Sequence, residues 1–237
     1  MYKLNRLLII FAVLNSNLII LKRSGIIIVL VLLVHYITFS QTEEFKPLYS
    51  FGIKQGINYS TVNFSPGIDQ GLTLGYTGGL AFKYQSEKNW AIQLELNYIQ
   101  KGWKENLDTI SNSYNRKLNY IELPLITHIV LGKRQLKYYI NLGTSFAYFL
   151  SEQENVTVNN EMYRREYYEK EIENYFDYSV LGEFGVVYNT GIGEFQIGIR
   201  YQLTLTDLFK TTSTTIFDNS QNQLWNLSLT YFFFDNK

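Results

Sequence analysis

The sequence predicts an all-β protein, an eight-stranded antiparallel transmembrane β-barrel with short periplasmic turns and long extracellular loops. Eight segments alternate apolar and polar residues with a period of two, which is typical of β-strands. The connections between these segments alternate in length, long then short, along the whole chain. The segments are about 10–15 residues long, which is enough for the 9–11 residues of a tilted membrane-spanning strand.

The first element is an export signal at residues 1–40, a stretch with four basic residues and no acidic residue. Its second half has a basic start followed by an apolar run at 26–34. Thr38 and Ser40 then occupy the small-residue positions before a cleavage site ahead of Gln41. This arrangement predicts a cleaved secretory signal peptide.

An additional apolar run at 7–21 precedes that signal and is interrupted by polar residues. It suggests that residues 1–21 are a mis-called extension and that translation starts near Lys22. The alternative is an uncleaved helical anchor, although neither run reaches the roughly 20 residues of a helical span. A short polar lead at 41–47 then precedes the barrel domain at 48–237.

The eight predicted strands cover residues 48–59, 72–85, 90–101, 118–131, 136–150, 176–188, 193–205 and 224–233. The seventh shows the pattern most clearly, because Phe195, Ile197 and Ile199 share one face. The even-numbered residues of the segment, Gln196 and Arg200 among them, form a polar face. Each predicted strand therefore has one side suited to a hydrophobic environment and one suited to a polar environment.

The connections distinguish the possible β architectures. Three are tight turns, at 86–89, 132–135 and 189–192. The other four are long, at 60–71, 102–117, 151–175 and 206–223. An even number of antiparallel strands with short turns at one end and long loops at the other is typical of outer-membrane barrels.

The apolar faces are aliphatic in the middle and aromatic towards both ends, as at Tyr49 and Tyr59 in the first strand. Aromatic girdles of this kind mark the two membrane interfaces of a β-barrel. The alternative is an exported soluble β-barrel or β-sandwich binding protein, which has its apolar faces in the core and its charges outside.

Charged residues on the polar faces form the candidate lumen network. They are Lys54, Lys83, Glu95, Lys101, Glu122, Lys137, Glu183 and Arg200. Because buried charges are costly unless they are paired, we expect a salt-bridged polar plug. The three glutamates are the acids of this plug, and we expect Arg200, Lys54 and Lys83 as their partners. The alternative function is a selectivity lining for a narrow channel that conducts ions or small solutes.

The loop at 152–175 carries seven acidic and three basic residues, a net charge of −4. Its tyrosines and arginines suit protein contacts, which indicates a possible partner site. The residues concerned are Tyr163, Arg164, Arg165, Tyr167 and Tyr168. The alternatives are a solvated loop, partly helical through Glu166–Lys170 pairing, or a hairpin around Asn159–Asn160 that extends the wall.

The chain also resembles a known family. The similar stretches are "FGIKQGINYS" (51–60), "NWAIQLELNYIQKGW" (89–103), "NYIELPLITHIVLG" (119–132), "NLGTSFAYFL" (141–150) and "GIRYQLTLTDL" (198–208). With the Tyr120, Glu122 and Pro124 pattern at their centre, they resemble the outer membrane β-barrel proteins of Bacteroidota-type bacteria that include PorT-like proteins. The resemblance implies an outer membrane barrel, and some relatives assist a secretion system or gliding.

The residues point away from catalysis. The sequence has no cysteine, and His128 is the only histidine outside residues 1–40. We therefore expect a non-enzymatic protein with no catalytic residues, no metal and no cofactor. The expected partners are outer membrane lipids, the barrel-assembly machinery during biogenesis and other envelope proteins. A formal net charge of zero gives no signal for binding nucleic acid.

Overall fold

The computed structural model describes residues 45–105, 107, 113–132, 135–157, 165–210 and 217–234. The predicted signal peptide lies outside the described residues. Eight long strands follow one another: β1 Leu48–Ser65, β2 Thr73–Glu87, β3 Trp90–Glu105, β4 Ser113–Leu131, β5 Leu136–Thr157, β6 Phe176–Asn189, β7 Gly193–Thr204 and β8 Asn219–Phe234. In the part of the chain that the structure describes, no helix is long and apolar enough to cross a membrane.

The eight strands form a closed antiparallel ring. Each strand pairs with the next along the chain, and β1 pairs with β8 from Ser50↔Phe234 to Ser65↔Asn219. A closed ring leaves no strand edge without hydrogen-bond partners, which is the condition for a sheet in lipid. The predicted fold class is confirmed.

The strands extend further at the long-loop end than the apolar pattern indicates. β1 continues to Ser65 and β5 continues to Thr157, whereas the pattern predicted ends at 59 and 150. Ser113 of β4 pairs with Thr157, although residues 151–157 show no apolar alternation. Above the membrane both faces of a strand can be polar, so backbone pairing continues where the sequence pattern stops. A two-residue strand, Gln70–Gly71, also pairs with the end of β3.

The apolar faces point outward. Phe51 is 65% exposed and Leu80 is 61% exposed. The aromatic residues form two bands, with pairs such as Tyr49–Tyr84 at the short-turn end and Tyr201–Trp225 at the long-loop end. From Tyr49 to Tyr59, ten steps of about 3.3 Å tilted by about 40° rise roughly 25 Å. That height matches the apolar band of an outer-membrane barrel.

The polar faces point inward, and this arrangement excludes the soluble alternative. Ile197 and Ile199 are half exposed on the outside, while Gln196, Arg200 and Gln202 on the other face of the same strand are buried. A soluble sandwich would reverse these positions, because its core would take the apolar face. The outside of the ring is therefore built for hydrocarbon, and its interior is built for charge.

The outward face gives a direct test. Leu80 lies midway between the girdle residues Tyr76 and Tyr84, whereas Leu72 lies beyond the girdle. We expect Leu80→Arg to lower the free energy of unfolding by about 2–4 kcal/mol in lipid vesicles, and Leu72→Arg by about 0–1 kcal/mol. Urea titration of the folded barrel, followed by tryptophan fluorescence, measures both values. Equal losses for the two variants would contradict a membrane centred on Leu80.

Candidate functional site: the filled lumen and the long-loop end

The centre of the barrel holds a cluster of two cations and two anions, which we call the central ion cluster: Lys54, Glu95, Glu183 and Arg200. The two terminal nitrogens of Arg200 donate hydrogen bonds to the Glu95 carboxylate at 3.0 and 2.8 Å, and its Nε donates to Glu183 at 2.5 Å. Lys54 donates to both oxygens of Glu95 at 3.1 Å and lies 3.8 Å from Glu183. The two positive and two negative charges of the cluster balance, so their mutual attraction offsets the free-energy cost of removing them from water.

Neutral side chains complete the hydrogen bonds of the central ion cluster. Gln93 and Asn97 each donate to Glu95 at 2.8 Å. The Tyr139 hydroxyl donates to Glu183 at 2.5 Å, and Asn141 donates to the same oxygen at 3.2 Å. A Cβ added at Gly198 would lie 2.1 Å from the Tyr139 hydroxyl oxygen. The missing side chain therefore leaves the space that the Tyr139 ring needs to reach the cluster.

A second buried group lies next to the central ion cluster on the long-loop side. Lys101 lies 3.5 Å from Glu122 and 3.2 Å from Asp177. Ser145 donates to Glu122 at 3.0 Å, and Ser179 donates to Asp177 at 2.9 Å. Two carboxylates thus share one ammonium group, and each also accepts a hydrogen bond from a serine hydroxyl.

A third group lies near the short turns. Lys83 pairs with Glu194, and Lys137 lies half-buried in the same region. The expectation that Lys83 pairs with Glu95, Glu122 or Glu183 is therefore wrong. The reason is distance along the barrel: Lys83 is four residues from the last residue of β2, and Glu194 is the second residue of β7, so both lie near tight turns.

His128 lies in β4 near these turns and is 1% exposed. Its Nδ1 lies 2.6 Å from the Asn141 side-chain oxygen, and its ring lies against Tyr139. Within the described residues, no group of three or more histidine, aspartate and glutamate side chains is placed to hold a metal ion. His128 is therefore embedded in the lumen network through Asn141.

The interior changes character at the long-loop end, where a hydrophobic core replaces the ion pairs. We call it the aromatic cap. Its residues are Val62, Phe64, Ile99, Trp103, Tyr114, Leu118, Tyr120, Ala147, Phe149, Tyr167, Tyr168, Ile172, Leu208, Phe209, Phe217 and Leu224. They come from the upper ends of the strands and from the two segments that follow β5 and β7. The cap thus fills the long-loop end of the ring with apolar side chains.

Tyr167 and Tyr168 occupy the aromatic cap and are 4% and 5% exposed. Each hydroxyl donates to one oxygen of Glu105 at 2.8 Å, and the Tyr168 ring stacks on Tyr114. Their assignment to an exposed partner surface is therefore wrong: the alternation of charge and tyrosine did not show which side chains fold inward. Of the other proposed contact residues, Arg165 is exposed, and Tyr163 and Arg164 lie outside the described residues.

Arg116 anchors the segment that carries these tyrosines. Its guanidinium group is buried among the cap residues and donates to Glu152 at 2.7 Å and to the Lys170 carbonyl oxygen. The same group lies 5.7 Å from the centroid of the Trp103 ring. Lys170 pairs with Glu173 at 3.5 Å, and not with Glu166 as in the partly helical alternative for this loop. The sequence pattern gave no signal for Arg116, because it falls in a predicted loop.

These observations define a class: a closed antiparallel barrel with a lipid-facing exterior and a filled polar interior. A family model described as an outer membrane protein beta-barrel domain matches residues 39–210. The chain belongs to this family, and its place is therefore the bacterial outer membrane. The match runs from the region before β1 through β7.

Three solved structures are similar in outline. The attachment invasion locus protein Ail of Yersinia pestis, in complex with the heparin analogue sucrose octasulfate, is 16% identical, with 78% of this chain and 99% of that chain covered and a TM-score of 0.40. OprG from Pseudomonas aeruginosa is 11% identical, with 79% and 95% covered and a TM-score of 0.42. The outer membrane enzyme PagL is 10% identical, with 76% and 97% covered and a TM-score of 0.46. A comparison with curated protein sequences finds no match.

The central ion cluster gives a stability test. Arg200→Gln leaves Glu95 and Glu183 with one cation, and we expect the free energy of unfolding to fall by about 3–5 kcal/mol. The double variant Glu183→Gln with Arg200→Gln keeps one cation and one anion in the cluster, so its free energy of unfolding should fall less than that of Arg200→Gln alone. Urea titration in detergent micelles measures both, with the exposed Lys104→Gln as control. A double variant that is less stable than the single one would argue against charge balance as the reason.

The cap gives a pH test. Burial raises the pKa of the Glu105 carboxyl above its ordinary value, and the hydrogen bonds from Tyr168 and Tyr167 oppose that rise. A raised pKa in the folded state means that Glu105 adds stability below its unfolded pKa of about 4.3, and that this contribution is lost as the pH rises through the folded value. As the pH rises from the unfolded pKa through the folded pKa of Glu105, the unfolding midpoint of the native chain should therefore fall relative to that of the Glu105→Gln variant. The exposed Glu166→Gln should follow the native chain, and a constant difference between native and Glu105→Gln would contradict the argument.

Proposed function

We propose that the chain is a non-enzymatic outer membrane barrel with a plugged lumen, and that its long-loop end binds other proteins of the cell envelope. The observation that carries this proposal is the filled interior. Ion pairs occupy the lumen from the short turns to Lys101, and the aromatic cap lies at its long-loop end. A barrel whose interior is packed has its remaining accessible protein surface at its two ends.

The alternative function, a narrow channel, requires a continuous polar path. An eight-stranded barrel is just wide enough for its own side chains. Lys54, Glu95 and Arg200 are each no more than 3% exposed, and Trp103 in the cap is fully buried. The packing thus favours the plug over a selectivity lining.

The upper part of β4 and β5 offers the surface for a partner. β5 continues nine residues past the girdle residue Tyr148, which raises its end about 20–25 Å above the girdle at the usual rise and tilt. Its outward side chains here, Ser151, Gln153 and Asn155, are polar and exposed. Beside the cap, Glu166 and Glu171 are exposed as well, so the surface favours a partner with basic or hydrogen-bonding groups.

Among the residues that the structure describes, the surroundings of His128 hold no reactive constellation, which favours a non-enzymatic role. Its Nδ1 is engaged by Asn141, and its Nε2 has no hydrogen-bond partner among the described residues. A serine or threonine nucleophile would have to reach that nitrogen for acyl-transfer chemistry. The fold itself gives no guidance, because a barrel architecture hosts both enzymes and binding proteins.

The finer placement of the protein is also a proposal. The resemblance of the five stretches to PorT-like barrels of Bacteroidota-type bacteria supports a role in an envelope or secretion-associated complex. The signal-like pattern of residues 1–40 supports export through a cleaved signal peptide. Outer membrane lipids and the barrel-assembly machinery are the partners that this route requires.

Conductance measurements distinguish the plugged barrel from the narrow channel. In planar bilayers we expect the native chain to show no stable large openings, because the central ion cluster and the cap fill its lumen. A variant with Trp103→Ala and Phe209→Ala, which thins the cap, should still not conduct, because the ion cluster is intact. Sustained openings of the native chain would establish the channel and overturn the plug.

Partner binding is tested on the intact envelope. A tagged native chain is cross-linked in cells and purified, together with Glu166→Lys, Glu171→Lys and a matched control, Glu87→Lys, at the short-turn end. We expect a specific cross-linked envelope protein to be lost with the first two variants and kept with the control. Recovery that is equal for all four chains would refute a role of the long-loop surface.

A further inference from the structure

A small pocket opens at the short-turn end of the barrel, away from the proposed partner surface. We call it the turn pocket. Its enclosed volume is about 20 Å³, which is room for one water-sized group. The polar residues that line it are Lys83, Gln85, Lys88, His128, Lys137 and Glu194. Lys83 and Lys137 both lie near the single carboxylate of Glu194 in this lining, so the pocket favours an anion.

His128 gives the turn pocket a specific hydrogen-bonding character. The side-chain NH₂ group of Asn141 donates a hydrogen bond to Glu183, so the side-chain oxygen of Asn141 is the atom that lies 2.6 Å from Nδ1 of His128. Because that oxygen only accepts, the Nδ1 atom of His128 must carry the hydrogen. Burial and the nearby ammonium group of Lys83 favour the neutral ring, in which Nε2 is a lone-pair acceptor. This Nε2 is buried with no partner among the described residues. The central ion cluster thus fixes the tautomer of a histidine at the pocket wall.

A ligand that matches both features must be negatively charged and must also donate a hydrogen bond. Chloride, sulfate and phosphate diesters have no hydrogen to donate. Hydrogen phosphate and the monoanion of a phosphate monoester each keep one P–OH group. The enclosed volume admits one oxygen atom, and the remaining oxygens of such a group would stay within reach of Lys83 and Lys137.

We propose that the turn pocket binds hydrogen phosphate, either free or as the monoester headgroup of a lipid. The P–OH group donates to Nε2 of His128, and the anionic oxygens accept from Lys83 and Lys137. Glu194 holds Lys83 in place through their ion pair. The neutral His128 and the cations thus recognise different parts of one ligand.

The first experiment uses the full-length chain in phosphatidylcholine nanodiscs at pH 7. Sodium phosphate is titrated while the ¹⁵N resonances of His128 are followed by NMR, with sodium sulfate at equal ionic strength as the matched anion. We expect phosphate to shift Nε2 and sulfate to bind at least ten-fold more weakly. No shift with phosphate, or equal binding of sulfate, would overturn the proposed recognition.

Variants locate the site without disturbing the ion cluster. Lys137→Gln, half-buried at the pocket, should weaken phosphate binding about ten-fold. Lys104→Gln, exposed at the opposite end of the barrel, should leave it unchanged. Equal affinity of all three chains would place the bound phosphate elsewhere and refute the assignment.

Vesicles distinguish the two sources of the phosphate group. The chain is reconstituted at pH 6 in phosphatidylcholine with one tenth phosphatidic acid, a monoester, or one tenth phosphatidylglycerol, a diester. A shift of Nε2 with phosphatidic acid and not with phosphatidylglycerol shows that the lipid headgroup enters the pocket. A shift with free phosphate alone restricts the site to the soluble ion, and a shift with phosphatidylglycerol contradicts the requirement for a P–OH group.

Discussion

Every backbone amide and carbonyl group inside a lipid bilayer must find its hydrogen-bond partner within the protein, and the closed ring of eight strands satisfies this requirement. The pairing of β1 with β8 is the contact that closes it. Closure by eight strands leaves an interior that side chains can fill. Because the outward side of each strand must be apolar, the inward side is the one available for polar residues. The charge network in the lumen is a consequence of this closure.

The interior of the barrel is filled by two kinds of packing, ion pairs within the membrane and an apolar core at the long-loop end. Within the membrane, opposite charges such as Arg200 and Glu95 neutralise each other at contact distance. Beyond the upper girdle, the outer side of the wall faces water, so an apolar core inside the ring again gains free energy from burial. Trp103 and Phe217 belong to this second region, and Arg116 lies where the strand ends meet the cap. The change from ions to aromatic rings therefore follows the change of solvent outside the barrel.

Period-two alternation predicted the strands, their inward faces and the members of the central ion cluster. The height of each charge along the barrel axis then decided its partner. Lys83 joins Glu194 because both lie near the short turns, and Lys101 joins Glu122 and Asp177. Such pairs depend on the relative height of residues on different strands, which follows from the register and not from the pattern within one strand.

The sequence by itself determined the closed β architecture, the number of long strands and the side of each strand that meets lipid. It did so because the alternation of side chains across a strand is a local property of the backbone. Only the tertiary structure decided where Tyr167, Tyr168 and Arg116 lie, since they are outside the alternating segments. Their burial depends on a loop folding back between strand ends that are far apart in the chain, as when Tyr167 reaches Glu105. A contact of that kind has no period in the sequence, so the structure alone could reveal it.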